Sequence, residues 1–273
     1  MSRLFRCVTL SLCVVALSLA GFRATAADKR PPHPAQGTPA STEPPVAPAA
    51  FARGETLTYT AMLNELPAGD AEVRLRQERQ DGREVYRVTA QASTSELIDY
   101  LYRLRGTADG MFTTDGFTPL LFRLAYQNND RPREMGVRYD PAAKMLLGSV
   151  KRRERVKERS VPAGDVYDPI TAFYWLRGRD LTPGKPLQVE VFTGKARYRV
   201  AALVVKKEDV PLTTGMRPAI RLHPAVFSLD DAPQENLLPP ETTLWVSADA
   251  THTPLKLESF MPIGRLVVEL NNN

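Results

Sequence analysis

"ETLTYTAMLNELPAGDAEVRLRQE", residues 55–78, decides the fold class. Leu57, Tyr59, Ala61 and Leu63 alternate with Thr56, Thr58 and Thr60, and further on Ala71, Val73 and Leu75 alternate with Glu72, Arg74 and Arg76. A period of two, with one apolar face and one hydroxylated or charged face, belongs to antiparallel strands that bury one side and wet the other. Ala68-Gly69-Asp70 reads as the turn between them.

The same alternation returns in "YRVTA" (86–90), "ARYRVAA" (196–202), "PLKLES" (254–259) and "GRLVVEL" (264–270). Asp81-Gly82, Asp109-Gly110, Asp115-Gly116 and Asn128-Asn129-Asp130 supply further turn signals. About a dozen strands follow from this spacing. Hairpin-linked strands with one apolar face must curl to cover it. The predicted fold is therefore mainly β: one large curved antiparallel sheet, whether half-barrel, barrel-like or roll.

One stretch interrupts the alternation: "DVYDPITAFYWLRG", residues 165–178. Asp168 suits an N-cap and Pro169 the first helical position; Arg177 suits the last turn and Gly178 the residue just past it. A short helix with Ile170, Phe173, Tyr174, Trp175 and Leu176 cannot face water on most of its surface. It is expected to pack on or in the curved sheet. As structure it is a plug; as function it is a gate over an apolar cavity, with Phe173, Tyr174 and Trp175 forming the ligand or lid region.

The N-terminus carries export features. Arg3 and Arg6 precede an apolar run from Cys7 to Ala20, and Ala24-Thr25-Ala26 offers small residues for cleavage. Residues 1–26 read as a signal peptide. The run is shorter than the ~20 residues a membrane span needs, so no transmembrane segment is expected in the mature form. Both cysteines, Cys7 and Cys13, leave with the signal, which excludes disulfides and thiolate chemistry. Losing Arg3, Arg6 and Arg23 lowers the formal charge from +5 to +2, and nucleic acid is not an expected partner. Residues 27–53 are rich in Pro, Ala, Ser and Thr and read as a disordered linker. A single β domain is expected over 54–273.

Catalytic patterns are sparse. His33 lies in the linker, His223 precedes Pro224 where a strand should end or kink, and His252 sits in the turn-like "ADATHTP". They do not have metal-ligand spacing, and there is no nucleophile elbow or Gly-rich phosphate loop. Asp165 and Asp168 are better read as a loop acid and a helix cap than as an acid–base pair, and Asp249 as a turn former. No catalytic, metal or cofactor site is assigned, and a non-enzymatic protein is expected.

"KRRERVKER", residues 151–159, has six basic and two acidic side chains around Val156. Such runs are solvated faces or contacts for anionic surfaces. Because the run precedes the aromatic helix in sequence, Arg152, Arg153 and Arg155 are candidate contacts for the anionic head of an amphiphile.

Gly54-Glu55-x-Leu57-x-Tyr59, Ala68-Gly69, the run from Asp168 to Arg177, Trp245-Val246-Ser247-x-Asp249 with Pro254, and Gly264-x-Leu266 occur in an order and spacing that resemble the exported bacterial family called domain of unknown function 3108. The resemblance spans residues 54 to 270. It implies an antiparallel β architecture in an exported protein and no established activity. More loosely, the layout is similar to periplasmic lipoprotein carriers, whose curved sheet holds acyl chains under a helical lid. Two functions follow as expectations: an exported envelope protein that binds an apolar or amphipathic, lipid-like ligand in its sheet, or an envelope scaffold that meets another protein through its surface.

Overall fold

The computed structural model describes residues 49–271 apart from 101, 130 and 231–235. The expected signal peptide with both cysteines, the expected linker up to residue 48, and His33 lie outside the described residues.

The chain opens with helix α1 (Ala49–Ala52) and runs through β1 (Glu55–Leu63), β2 (Leu66–Gln80) and β3 (Arg83–Thr94) into α2 (Glu96–Asp99). Five strands follow: β4 (Leu104–Thr113), β5 (Pro119–Asn128), β6 (Arg131–Asp140), β7 (Met145–Arg152) and β8 (Arg155–Pro162). After the two-residue β9 (Val166–Tyr167) comes helix α3 (Pro169–Arg177), then β10 (Pro186–Phe192), β11 (Arg197–Leu212) and β12 (Gly215–Ser228). β13 (Thr243–Ser247), β14 (Pro254–Met261) and β15 (Gly264–Leu270) complete the sheet.

All fifteen strands belong to one sheet in the order β8-β7-β6-β5-β4-β3-β2-β1-β15-β14-β13-β12-β11-β10-β9. The last strand returns to pair antiparallel with the first, Tyr59 opposite Leu270. β8 and β9 alone among sequence neighbours are unpaired, so the sheet is a barrel open at one seam, antiparallel except for the parallel β9–β10 pair. Register shifts at Ala61/Met62, Met111/Phe112, Val204/Lys206 and Trp245/Val246 supply local bends that help the sheet curl. The seam is bridged by side chains. Arg159 on β8 makes a bidentate pair with Asp230 beyond β12, with Nη2 to Oδ1 at 2.9 Å. The β10–β11 turn lies against β6 and β7, where a Cβ on Gly148 would fall 2.5 Å from Gly194 Cα.

The predicted fold class holds, and several local readings are corrected. The β1–β2 turn is Asn64-Glu65, not Ala68-Gly69-Asp70. Both turn residues have positive φ (49° and 67°), as a two-residue hairpin loop requires. Asn64 also accepts from Arg265 N at 2.9 Å and donates to Ile263 O at 3.0 Å, tying this turn to the β14–β15 turn. Asp109-Gly110 lies inside β4, because the glycine admits Ile170 of α3: a Cβ there would sit 2.8 Å from Ile170 Cδ1. His223 does not end a strand; β12 continues past it, with Pro224 opposite Ala202. The domain also begins before Gly54. Phe51, 1% exposed, packs edge-on against Tyr174 at 5.4 Å and Tyr86 at 6.2 Å, so the end of the expected linker belongs to the core.

The barrel interior is occupied. Seven of the nine α3 residues are buried, on all sides of the helix, as expected of a core helix rather than a surface one. Tyr174, fully buried, lies 5.6 Å from Phe112, which stacks on Phe117 at 5.2 Å. Leu75, Leu104, Leu146, Phe192 and Leu266 close around this cluster.

Candidate functional site

Three features could form a site: the helix and its polar contacts, the basic run, and a trough on the outer face. The helix forms where its caps predict. Asp168 accepts from Ile170 N at 2.9 Å and Thr171 N at 3.1 Å, and from the Thr171 hydroxyl, while Pro169 opens the first turn. Burial of the Asp168 carboxyl, partly offset by these bonds, pushes it up to about 6.

From the last turn Arg177 reaches the start of β1. Its guanidinium, 3% exposed, pairs with Glu55 through Nη1 (2.5 Å) and Nη2 (2.9 Å). The same Glu55 oxygen that Nη1 reaches accepts from the Tyr174 hydroxyl at 2.9 Å. Arg177 Nε donates to Thr251 O at 3.0 Å, and His252 Nδ1 donates to Arg177 O at 2.8 Å. The guanidinium also lies 4.9 Å from the Phe51 ring centroid and 5.1 Å from that of Tyr174. Burial pushes the phenols of Tyr174 and Tyr59 well up. For Arg177 burial, the largest single effect, acts downward, but the bonds it donates to Glu55 and the attraction of that carboxylate and the neighbouring phenol oxygens together make the net direction upward. The phenols stay protonated and the guanidinium charged, and the cluster fixes α1, β1, α3 and the β13–β14 loop together. Among the described residues no three His, Cys, Asp or Glu side chains gather as a metal set.

The three expected lid residues do not share one face. Tyr174 points into the core, and Phe173 is half-buried and edge-on to it at 5.2 Å. Trp175 is buried with the Arg179 guanidinium 3.7 Å from its ring centroid and Tyr167 at 5.5 Å. Arg152, Arg153 and Arg155 are exposed at the β7–β8 turn and make no ion pair with the described residues. β8 then runs from Arg155 to Pro162, about 23 Å at ~3.3 Å per residue, before the chain turns to α3. Sequence adjacency placed these arginines beside the helix; strand geometry carries them to the other end of the barrel.

The outer face carries a trough of about 680 Å³ across β1 to β6. Pairing register aligns its side chains in two rows. One holds Thr58, Glu72, Gln91, Thr107 and Glu134; the other holds Asp70, Ser93, Arg105 and Gln127. In the row between, Ala71 and Ala92 turn their side chains inward and Gly106 has none, so backbone floors the trough. At ~4.8 Å per strand the six strands span about 24 Å. Much of the charge is already compensated. Glu72 accepts from Arg74 at 3.0 Å and Gln91 at 3.3 Å, and Arg105 forks onto Asp99 at 3.0 and 2.6 Å, holding that carboxyl below its usual range. The remaining polar side chains of the two rows are the hydroxyls of Thr58, Ser93 and Thr107 and the amides of Gln91 and Gln127. The period-two pattern marked these positions only as a wet face; their alignment across six strands depends on register.

Fold and site define a barrel-like β protein with a filled interior and a polar concavity outside. The profile of the family described as "Protein of unknown function (DUF3108)" matches residues 57–271, and the chain belongs to that family. Among solved structures it is similar to a β-barrel-like protein of domain of unknown function DUF1849 from Brucella abortus, with 9% identity and a TM-score of 0.51 over 80% of this chain and 95% of that one. That likeness concerns the fold. No curated protein matches.

Proposed function

We propose that this is an exported, non-enzymatic binding protein of the cell envelope that holds an extended glycan strand in its outer trough. The observation that carries the reading is the location of the concavity. It lies on the polar face, while α3 and its aromatic neighbours fill the space an internal amphiphile would need. The trough chemistry favours a polyhydroxylated ligand. An extended peptide adds to a free strand edge or seats side chains in apolar pockets, whereas β1 to β6 are each paired on both sides and the rows are hydroxyls, amides and compensated charges. The signal-like N-terminus supports export. An envelope scaffold using the same face is the second reading, supported by the exposed polar rows.

Calorimetric titration with soluble oligosaccharides of increasing length tests the ligand class. Binding should strengthen until the chain spans the trough, and Gln91→Ala with Gln127→Ala should weaken it without shifting the thermal midpoint. Native mass spectrometry that finds tightly retained lipid, with no oligosaccharide binding, would return the site to the barrel interior. For export, N-terminal sequencing of envelope material should begin at or near Ala27.

A further inference from the structure

We infer that one rim of the barrel docks on an anionic phospholipid surface, a property independent of the trough ligand. Strand order and direction assemble this rim. The β7–β8 turn presents Arg152, Arg153 and Arg155, all exposed, with Val156 56% exposed beside them. Glu134 pairs in register with Lys151, which brings the β5–β6 turn and exposed Arg131 to the same rim. Leu104 pairs with Asn128, and Asn129 exchanges bonds with Arg103, so α2, which precedes β4, belongs there too. There Tyr100 is 91% and Leu97 52% exposed. Ser95 bonds to Pro67 O and Ala68 O, adding the β1–β2 turn with Leu66 at 54%.

Acidic groups face this patch. Glu154 and Glu158 lie within the basic run, Glu65 and Glu96 are exposed on the β1–β2 turn and α2, Glu134 takes Lys151 at 3.7 Å, and Asp99 is engaged by Arg103 and Arg105. Residues 151–159 still carry six basic against two acidic side chains, of which Arg159 is engaged by Asp230 and Lys151 by Glu134. The two parts complement a bilayer interface. Guanidinium groups meet phosphates, while a neighbouring tyrosine and aliphatic side chains seat at the level of the headgroups. A purely solvated face has no call for four large apolar side chains this exposed at one end of the barrel. The described chain enters at the opposite rim, where α1 packs.

Co-sedimentation of the full chain, as the cell produces it, with two kinds of vesicle tests the inference. One kind is phosphatidylcholine alone; the other is phosphatidylcholine mixed with phosphatidylglycerol. Binding is expected to the anionic vesicles only and to fall steeply as salt rises. The combined substitution R152E/R153E/R155E should weaken it on the order of a hundredfold, at several-fold per basic residue near the surface. The thermal midpoint should not move. Tyr100→Ser with Leu97→Asn should weaken binding several-fold while leaving the salt slope intact. Equal binding to neutral vesicles, no binding to either kind, or charge reversal without effect would overturn the proposal. The salt titration needs no substitution, so a variant that fails to fold does not remove the test. Binding of oligosaccharides measured on the same sample reports the trough separately.

Discussion

Replacing Glu55 with Gln should be among the most damaging conservative changes in this protein. The substitution keeps the side-chain volume and one carbonyl acceptor but removes the only carboxylate among the described residues bonded to Arg177, whose guanidinium is 3% exposed. Two charge-assisted bonds at 2.5 and 2.9 Å become at best one ordinary bond, and Tyr174 must share the remaining acceptor. The rings of Phe51, Phe173 and Tyr174 within 5.6 Å soften but do not replace the lost counter-charge. Leaving one partner of a buried pair uncompensated costs about 3–5 kcal/mol, a large share of the ~5–15 kcal/mol that holds a typical domain. Tyr174→Phe loses a single donor to a charged acceptor and should cost about 1.5–3 kcal/mol. The sharpest arm is the double substitution E55Q/R177M. With both charges gone, it should be less destabilised than the sum of its single variants. Urea unfolding at fixed slope reads all four proteins. If Glu55→Gln shifts stability by less than about 1 kcal/mol, or if the two single costs simply add, the pair is not the buried, mutually dependent link described here.

Asp168 predicts a pH dependence. Its folded carboxyl, pushed up to about 6, binds a proton more tightly than the unfolded chain does at about 4. Its contribution is therefore fully present below about pH 4 and is lost as pH rises to about 6, by up to ~3 kcal/mol. Asp168→Asn, which keeps a cap, should gain stability relative to the parent over that window; a difference independent of pH sinks the assignment. Trp175→Ala should cost about 3–5 kcal/mol in a denaturant titration, and an unchanged midpoint would mean that α3 is not a core element. At Gly110, substitution by Ala forces a Cβ against Ile170 and should cost about 1–3 kcal/mol, relieved in part when Ile170 is trimmed to Ala, which removes both Cδ1 and Cγ2. Gly194→Ala combines positive φ (84°) with a clash on Gly136 O, and should raise proteolysis at the β8–β9 seam.

The sequence by itself determined what depends on neighbours along the chain. Alternating faces, the Asp81-Gly82 turn, and a helix bounded by Asp168, Pro169 and Gly178 arise from steric and capping preferences within a few residues. The tertiary structure alone decided where the apolar surfaces meet. A strand's inner face reads the same whether side chains or ligand cover it. Only closure of β15 on β1 shows that α3 fills the barrel. Glu55 and Arg177 stand 122 positions apart, and nothing local to either signals the pairing. Gly110 looked like a turn because a glycine needed for a close helix contact is indistinguishable in sequence from one needed for positive φ. The basic run was legible as charge, but its distance from the helix was set by the length of an extended strand, a quantity that adjacency in sequence conceals.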